Sequence, residues 1–256
     1  MMCIVSFAWK AHPKWQLVAI GNRDELHARP AESAHRWEDS DHLLAGRDSR
    51  AGGTWLGISE QGRFAVVTNL YGFGTPRPDR ASRGDLLKDF LSGKGKYADI
   101  AAADYADFNP FNLITVTQGE ARVHTNRPDK ITKPLDHGVH GLSNGSIHQP
   151  WAKSPHLNEM LGQWIAKQSD DPVMLLDGLL DRNSYESRDP SSPVIQSDPE
   201  PENSAIFMCD PIYGTRCSTV VAIDHDGNGI FIERRFAPSG SAIGQTRLSF
   251  AWPTPG

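Results

Sequence analysis

The sequence has few cysteines and no long hydrophobic run. Cys3, Cys209 and Cys217 are the three cysteines in 256 residues, and none stands in a CxxC pair. A small, odd number of cysteines without CxxC spacing argues against a disulfide framework and against a structural zinc site. It is typical of a protein in the reducing cytosol. No stretch approaches the roughly 18 apolar residues of a membrane span, and residues 1–15 lack the marks of a secretory signal. We therefore expect a cytoplasmic protein without a transmembrane segment.

Runs of basic residues are also missing. The chain carries 26 Lys and Arg against 31 Asp and Glu, a net charge of −5, so we expect no nucleic acid partner. An apolar fraction of 38% excludes bulk disorder. Neither a repeat nor a linker divides the chain, which predicts one domain over 1–256. The Pro-, Ser- and Asp-rich segment 184–203 is expected to be a mobile surface loop.

The common cofactor and metal motifs are absent as well. The sequence contains no Walker loop, no GxGxxG, no GxSxG elbow and no HExxH. Its 10 histidines are grouped only loosely, which is typical of exposed loop residues rather than of metal ligands. We therefore predict no metal site and no required cofactor.

Hydrophobic patterning places strands at both ends of the chain and helices in the middle. Residues 22–50 are polar and predict a loop with a short helix. Apolar alternation predicts strands, several in hairpins, over 3–9, 15–21, 54–59, 64–70, 112–126, 205–209, 218–224, 229–236 and 246–252. Helical spacing predicts helices over 83–93, 154–168 and 171–182. Antiparallel hairpins with grouped helices indicate a layered α+β fold.

Polar residues at strand ends are the candidates for chemistry. Cys3 heads the first strand, and at a true N-terminus its α-amine can act as the base for its own thiol. The alternative is a small buried hydrophobic residue, as free cysteines often are. Arg23 and Asp24 follow the second strand, where they can lower a thiol pKa and orient an amine on the neighbouring strand. In a solvated turn they would do neither.

Three further residues can recognise an anion. Asn69 and Asn144 can each donate an amide N–H to a developing oxyanion, although asparagine is also an ordinary turn residue. Arg216 precedes a strongly apolar strand, where its guanidinium suits a carboxylate or another anion. Its alternative role is that of a charge at a strand edge.

Taken together, these residues resemble one known family. The segments "MCIVSFAW", "AIGNRDE", "GGTWLGIS", "AVVTN", "GLSN" and "YGTR" occur in the order seen in the NRDE-motif family, also called the transport and Golgi organization 2 family. The resemblance runs from residue 2 to about residue 252. It implies an N-terminal-nucleophile (Ntn) hydrolase fold, which is a four-layer αββα sandwich with two largely antiparallel sheets.

The resemblance also implies roles for single residues. Cys3 matches the nucleophile, and its implied partners are Arg23, Asp24, Asn69, Asn144 and Arg216. The implied ligand contacts are Asn22, Arg23, Glu25 and Arg216. One departure concerns the start of the chain, where both Met1 and Met2 precede Cys3. If they are retained, the thiol lacks a free amine.

Three functions follow as hypotheses. Relatives imply the trafficking of haem or the handling of acyl-CoA and lipids. We therefore expect a protein that binds haem, as a transported ligand, or a lipid-like acyl anion in a cleft near Cys3. The alternative is an N-terminal-cysteine amidohydrolase that acts on a non-peptide C–N bond of an acyl amide. The third is an interaction protein on an inherited hydrolase fold.

Overall fold

Two antiparallel sheets and three α-helices make up the described part of the molecule. The computed structural model describes residues 3–185 and 204–254, so Met1, Met2 and residues 186–203 of the predicted mobile loop lie outside it. In chain order the elements are β1 (Cys3–Trp9), β2 (Trp15–Leu26), β3 (Ala31–Trp37), β4 (Ser40–Asp48), β5 (Leu56–Ser59), β6 (Arg63–Asn69), α1 (Arg83–Ser92), β7 (Phe111–Val116), β8 (Ala121–Thr125), β9 (Ile131–Pro134), β10 (Gly138–Leu142), α2 (Lys153–Ala166), α3 (Leu175–Gly178), β11 (Tyr213–Asp224), β12 (Asn228–Phe236) and β13 (Ala242–Ala251).

The sheets pack face to face and carry helices on their outer faces. One sheet has the order β10-β1-β2-β11-β12-β13, and the other has the order β3-β4-β5-β6-β7-β8-β9. Side chains such as Phe7 and Phe64 fill the space between the sheets, and these two rings stack 5.8 Å apart. Helix α1 covers the outer face of the seven-stranded sheet, and α2 and α3 cover that of the six-stranded sheet. The αββα sandwich is therefore confirmed.

Strand β1 shows why these segments pack as they do. All seven of its residues are buried, because both faces of the strand are covered. Successive side chains alternate, so Val5 and Phe7 enter the core between the sheets while Ile4 and Ala8 face α2 and α3. We call the space between the six-stranded sheet and α2 and α3 the helix layer.

The prediction of a loop over 22–50 is wrong. Strand β2 continues to Leu26, and most of the remaining residues form the hairpin of β3 and β4 at the edge of the other sheet. Of the residues of β3, only Ala34 and Trp37 are buried, the first in the core between the sheets and the second in the core beneath α1. A polar edge strand of this kind has a weak hydrophobic pattern, which is why its sequence favours a loop.

Three further boundaries differ from the predictions. The helix expected over 171–182 is a 3₁₀ turn at Pro172–Met174 followed by the single turn of α3. The strand expected over 205–209 forms only isolated bridges, from Ala205 and from Cys209. No sequence pattern predicts the short strands β9 and β10. In the part of the chain that the structure describes, no helix has the length and apolar character needed to cross a membrane.

Candidate functional site

The pleat of β2 divides the polar residues of its "NRDE" motif, Asn22, Arg23, Asp24 and Glu25, between two environments. Arg23 is paired with Cys3 on β1 and with Cys217 on β11, so the three side chains share the face that looks towards the other sheet. Because neighbouring residues of a strand point in opposite directions, Asn22 and Asp24 face the helix layer. The motif therefore contributes to two sites rather than to one.

A hydrogen bond to Asn144, which is distant in the sequence, holds the backbone of Cys3 in place. Its backbone nitrogen donates to Oδ1 of Asn144 at 2.7 Å, and Nδ2 of Asn144 donates to the carbonyl of Asn69 at 2.8 Å. The backbone nitrogen of Tyr71 donates to the carbonyl of Asn144 at 3.0 Å. Both polar atoms of the Asn144 side chain thus fix the start of β1 to the end of β6. The structure brings Cys3, Asn69 and Asn144 together, as expected from the sequence.

The thiol of Cys3 is protonated in this arrangement. The residue has no exposed surface, and burial together with the negative charge of Asp24 raises the pKa of the thiol to about 12. A hydrogen bond from the backbone of Asp24 and the charge of Arg23 act in the opposite direction but are weaker. A thiol in this state is not a nucleophile at neutral pH without a base to remove its proton.

Asp24 has a buried carboxyl group in which only one oxygen atom is hydrogen-bonded to a described residue. Oδ1 accepts a hydrogen bond from the Thr215 hydroxyl at 2.7 Å, whereas Oδ2 is buried without a partner among the described residues. Burial raises the pKa of this carboxyl to about 7, and the positive charge of Lys153 is the strongest influence that opposes the rise.

The side chain of Asn22 links the helix layer to the sheet through hydrogen bonds. Its Nδ2 donates to the carbonyls of Leu179 and Ile206, each at 2.8 Å, and its Oδ1 accepts from the Ser218 hydroxyl at 2.6 Å. With no exposed surface and all these contacts in the helix layer, Asn22 does not line the cleft described next. Its expected role as a ligand contact is therefore not supported by its position.

A cleft of about 770 Å³ opens beside Arg23 on the other face of β2. Among the described residues, nine arginines and four carboxylates line it. The arginines are Arg23, Arg29, Arg47, Arg50, Arg77, Arg80, Arg83, Arg216 and Arg235, and the acids are Glu25, Glu32, Asp48 and Glu233. Apolar contacts come from Trp55, Val67, Phe236 and Ile243, and Asn69 and Cys217 also reach the cleft.

Two of the acids neutralise two of the arginines. Nη2 of Arg23 lies 3.2 Å and Nε of Arg29 lies 2.6 Å from Oδ2 of Asp48. The same two nitrogen atoms are each 3.7 Å from Oε2 of Glu25. A third acid, Glu233, accepts from the backbone of Ala34, and burial raises its pKa. The cleft therefore keeps a positive charge.

Arg83, Arg216 and Arg235 are among the arginines that carry that charge. No carboxylate of the described residues lies within ion-pair distance of any of the three. Nη1 of Arg216 donates to three backbone carbonyls at 2.9, 2.9 and 3.1 Å, and Nη1 of Arg83 donates to the carbonyl of Pro110 at 2.9 Å. Nε of Arg235 is buried without a hydrogen-bond partner in residues 3–185 and 204–254. These guanidinium groups retain donors for an anion.

Sequence reasoning did not select Arg83, Arg235 or Tyr71. Arg83 begins α1 and interacts electrostatically with Cys3 and with Tyr71, and burial lowers the pKa of its guanidinium. A signal for it exists in "PRPDRASR" (76–83), where arginines recur every third residue and all three line the cleft. Among residues 3–185 and 204–254, no three His, Cys, Asp or Glu side chains form a group that could hold a metal ion.

Comparison with known proteins agrees with the resemblance seen in the sequence. The model of the family described as Transport and Golgi organisation 2 matches residues 2–238, a range that contains every candidate site residue. The chain belongs to this family. It is 30% identical to the Transport and Golgi organization protein 2 homolog of Homo sapiens, over 96% of this chain and 97% of that protein. It is 25% identical to Transport and Golgi organization protein 2 of Drosophila melanogaster, over 91% of each.

Solved structures with a similar arrangement have little sequence in common with the chain. A mutant of conjugated bile acid hydrolase from Clostridium perfringens is 9% identical, with a TM-score of 0.49 over 99% of this chain and 97% of that one. The Caenorhabditis elegans ortholog of N-acylethanolamine-hydrolyzing acid amidase is 12% identical, with a TM-score of 0.45 over 85% of this chain and 92% of that one.

Proposed function

We propose that the protein binds a small amphipathic anion, of the haem or acyl-CoA class, in the arginine-lined cleft. The observation that carries this proposal is the excess of nine arginines over four carboxylates around one cleft, in a chain whose net charge is −5. Positive charge concentrated in a cleft of an acidic protein favours the capture of an anion there.

The distribution of polar and apolar groups supports a ligand with an anionic end and an apolar body. Guanidinium groups bind carboxylates and phosphates through paired hydrogen bonds, and Arg83, Arg216 and Arg235 have no acidic partner among the described residues. Trp55 and Phe236 add apolar surface to the same cleft. Clefts of about 300–1,000 Å³ with apolar walls and a few placed polar groups are typical of small-molecule sites, and this one measures about 770 Å³.

The state of Cys3 favours binding over hydrolysis as the first function. Its thiol is fully buried, and the raised pKa keeps it neutral. A neutral thiol neither attacks a carbonyl nor repels an anion in the cleft. Binding by the arginines therefore does not require the chemistry of Cys3.

Titration of the protein with haemin and with palmitoyl-CoA tests the proposal. We expect saturable binding of at least one of them, weakened about tenfold by Arg83→Ala because one charge-assisted contact is lost. Arg122→Ala is the matched control, since Arg122 lies on β8, does not line the cleft and pairs with Glu120 at 2.7 Å. Absence of saturable binding, or equal effects of the two variants, would contradict the proposal.

A second candidate function is an N-terminal-cysteine amidohydrolase acting on an acyl amide. The hydrogen bonds that run from the nitrogen of Cys3 through Asn144 to Asn69 favour it, because they hold a nucleophile next to amide donors. In a chain that begins at Cys3, the α-amine takes the thiol proton and the thiolate attacks the amide carbonyl. The α-ammonium passes this proton to the substrate nitrogen, which leaves as an amine, while Asn69 and Asn144 stabilise the oxyanion. Water then hydrolyses the thioester, which releases the acyl group as a carboxylic acid and restores the thiol.

Intact mass and a panel of acyl amides test this second function. Protein expressed with its native start is weighed, which shows whether residues ahead of Cys3 are removed. Only the form that begins at Cys3 is expected to hydrolyse an acyl amide, and Cys3→Ala should abolish that activity. Equal rates for the wild type and Cys3→Ala would eliminate the hypothesis.

A further inference from the structure

The turn that follows β4 holds one carboxylate in a fixed direction inside the cleft. Asp48 is the last residue of β4, its backbone nitrogen donates to the carbonyl of Gly53 at 2.9 Å, and its carbonyl accepts from the nitrogen of Gly52 at 2.7 Å. Oδ1 of its side chain accepts from the backbone nitrogens of Arg50 and Ala51, at 3.1 and 2.9 Å. The backbone of the turn therefore orients the Asp48 carboxylate.

The other oxygen of this carboxylate joins two guanidinium groups. Oδ2 of Asp48 lies 2.6 Å from Nε of Arg29 and 3.2 Å from Nη2 of Arg23. Glu25 is more distant, with its Oε2 atom 3.7 Å from the same two nitrogen atoms. Two positive and two negative charges thus cancel within one group. We call Arg23, Glu25, Arg29 and Asp48 the paired cluster.

The position of Oδ2 between two guanidinium groups is one that a ligand anion would also take. Burial alone would raise the pKa of Asp48, but the hydrogen bonds from Arg29 and Ala51 and the charges of the two arginines outweigh it. The pKa therefore lies below its ordinary 3.8, and the carboxylate is charged. Arginines bind the carboxylate or phosphate of a ligand through the same kind of charge-assisted hydrogen bond.

The paired cluster is within reach of an anion that enters the cleft. The side chains of Arg29 and Asp48 are 29% and 15% exposed, and both line the cleft. Nη1 of Arg216 donates to the backbone carbonyl of Arg29 at 3.1 Å, so an arginine without an acidic partner among the described residues adjoins the cluster. A filled anion position therefore lies next to guanidinium groups that retain free donors.

We propose that Asp48 is a specificity-determining residue of the cleft, because its carboxylate fills from within an anion site between Arg23 and Arg29. The inference rests on the proposed function, in which the cleft binds an amphipathic anion. It adds that the anionic group of the ligand is directed to the arginines outside the paired cluster. The neutral wall that the paired cluster forms then faces an uncharged part of the ligand.

Titration with inorganic phosphate, followed through the Nε–H signals of arginine in nitrogen-15-labelled protein, tests the proposal. Arg29→Lys identifies the signal of Arg29. Asp48→Ser removes the charge and vacates the position of Oδ2, while the serine hydroxyl can still accept from the backbone of the turn. We expect phosphate to shift the Arg29 signal at an about tenfold lower concentration in Asp48→Ser than in the wild type, because the internal carboxylate no longer competes.

Glu120→Gln is the matched control for the change in net charge. Glu120 pairs with Arg122 at 2.7 Å and does not line the cleft, so the Arg29 signal of this variant should respond to phosphate as that of the wild type does. An equal response of the Arg29 signal in Asp48→Ser and the wild type would overturn the proposal. A loss of stability in Asp48→Ser without a gain in this response would assign Asp48 a purely structural role.

Asp48→Asn provides a second variant in which the turn keeps a side-chain acceptor of the same length. Its amide still occupies the position between the guanidinium groups, so the Arg29 signal should respond at a phosphate concentration between those of the wild type and Asp48→Ser. If Asp48→Ser does not fold, the comparison of Asp48→Asn with the wild type decides the question. If neither variant folds, Asp48 serves the fold and the proposal is wrong.

The signal of Arg235 reports on the arginines outside the paired cluster in the same titration. Its Nε atom is buried without a hydrogen-bond partner among the described residues, and Arg235→Ala identifies its signal. We expect it to respond to phosphate at similar concentrations in the wild type and in Asp48→Ser. No response of Arg235 in either protein would contradict the proposed binding function, whereas a response of Arg235 without a gain at Arg29 would contradict only the role of Asp48. The two failures are therefore distinguishable.

Discussion

The two faces of β2 place neighbouring residues in opposite environments. Towards the cleft, Arg23 and Glu25 stand among nine arginines in a space of about 770 Å³. Towards the helix layer, Asn22 and Asp24 have no exposed surface and are covered by α2, α3 and the segment 204–209. One four-residue motif therefore lines the proposed ligand cleft on one side of the sheet and gives internal support on the other.

The two regions also differ in the exposure and pairing of their charged groups. In the cleft, several guanidinium groups lack an acidic partner among the described residues and can respond to a ligand. In the helix layer, the Asp24 carboxyl and the Lys153 ammonium have no exposed surface, and neither lines the cleft. Ligand binding in the cleft and support from the helix layer are therefore separable, and substitutions on each face of the sheet should show this.

The largest effect is expected from Asn22→Ala. The variant loses hydrogen bonds to Leu179, Ile206 and Ser218 and should lower the free energy of unfolding by about 3 kcal/mol. Because Asn22 does not line the cleft, the affinity of the folded protein for haemin or palmitoyl-CoA should stay within about twofold. Urea unfolding and ligand titration measure the two quantities. A large loss of affinity with unchanged stability would reverse the assignment of the two faces.

Arg235 and Arg234 offer the same comparison on β12. Arg235 lines the cleft, whereas Arg234 lies 3.6 Å from Asp177 of the helix layer. We expect Arg235→Ala to weaken the binding of an amphipathic anion about tenfold, while Arg234→Ala changes it less than about twofold. Calorimetric titration of both variants measures the difference. Equal losses would show that general surface charge, rather than the cleft, attracts the ligand.

Asp24→Asn should change how stability depends on pH. Burial raises the carboxyl pKa from its ordinary 3.8 to about 7, so between these values the folded state keeps a proton that the unfolded chain has lost. The stabilisation is complete below pH 3.8 and is lost as the pH rises through about 7. The free energy of unfolding of the wild type should therefore fall across this window relative to Asp24→Asn. Parallel profiles in urea unfolding would show that Asp24 has an ordinary pKa.

The smallest effect should come from salt. Raising the salt from about 50 to about 200 mM screens the cleft arginines and should weaken binding by a few-fold. The dependence should be shallower in Arg235→Ala, since one contributing charge is gone. Fluorescence titration of palmitoyl-CoA at several salt concentrations measures both slopes. A wild-type affinity that does not change with salt would mean that apolar contacts alone hold the ligand.

Strong local patterns explain what could be predicted of the fold. Strands β1 and β2 and the hairpin of β5 and β6 have dense apolar and β-branched residues, so their positions follow from the sequence. β3 and β4 show this pattern less clearly, because β3 is a polar edge strand and polar residues flank the short apolar run of Leu43, Leu44 and Ala45 in β4. The layered arrangement depends on pairings between distant strands, and the family resemblance supplied it.

The site could be predicted only in part, for a related reason. Cys3, Arg23 and Asn144 lie at or beyond the ends of apolar segments, where a polar residue is a candidate for a functional role. Arg235 lies within a strand and Lys153 begins an amphipathic helix, positions at which a charge usually faces solvent. Their environments, the cleft for Arg235 and full burial for Lys153, exist only after the chain has folded. The opposite orientations of Asn22 and Arg23 likewise required the register of β2.

Ligand titration of two variants tests whether the arginine cleft, and not Cys3, holds the ligand. Haemin and palmitoyl-CoA are titrated into the wild type, Cys3→Ala and the double variant Arg83→Ala/Arg235→Ala. We expect Cys3→Ala to bind within about twofold of the wild type and the double variant to bind about 100-fold more weakly. Loss of binding in Cys3→Ala, with affinity retained in the double variant, would show that the ligand is held by the thiol and not by the cleft.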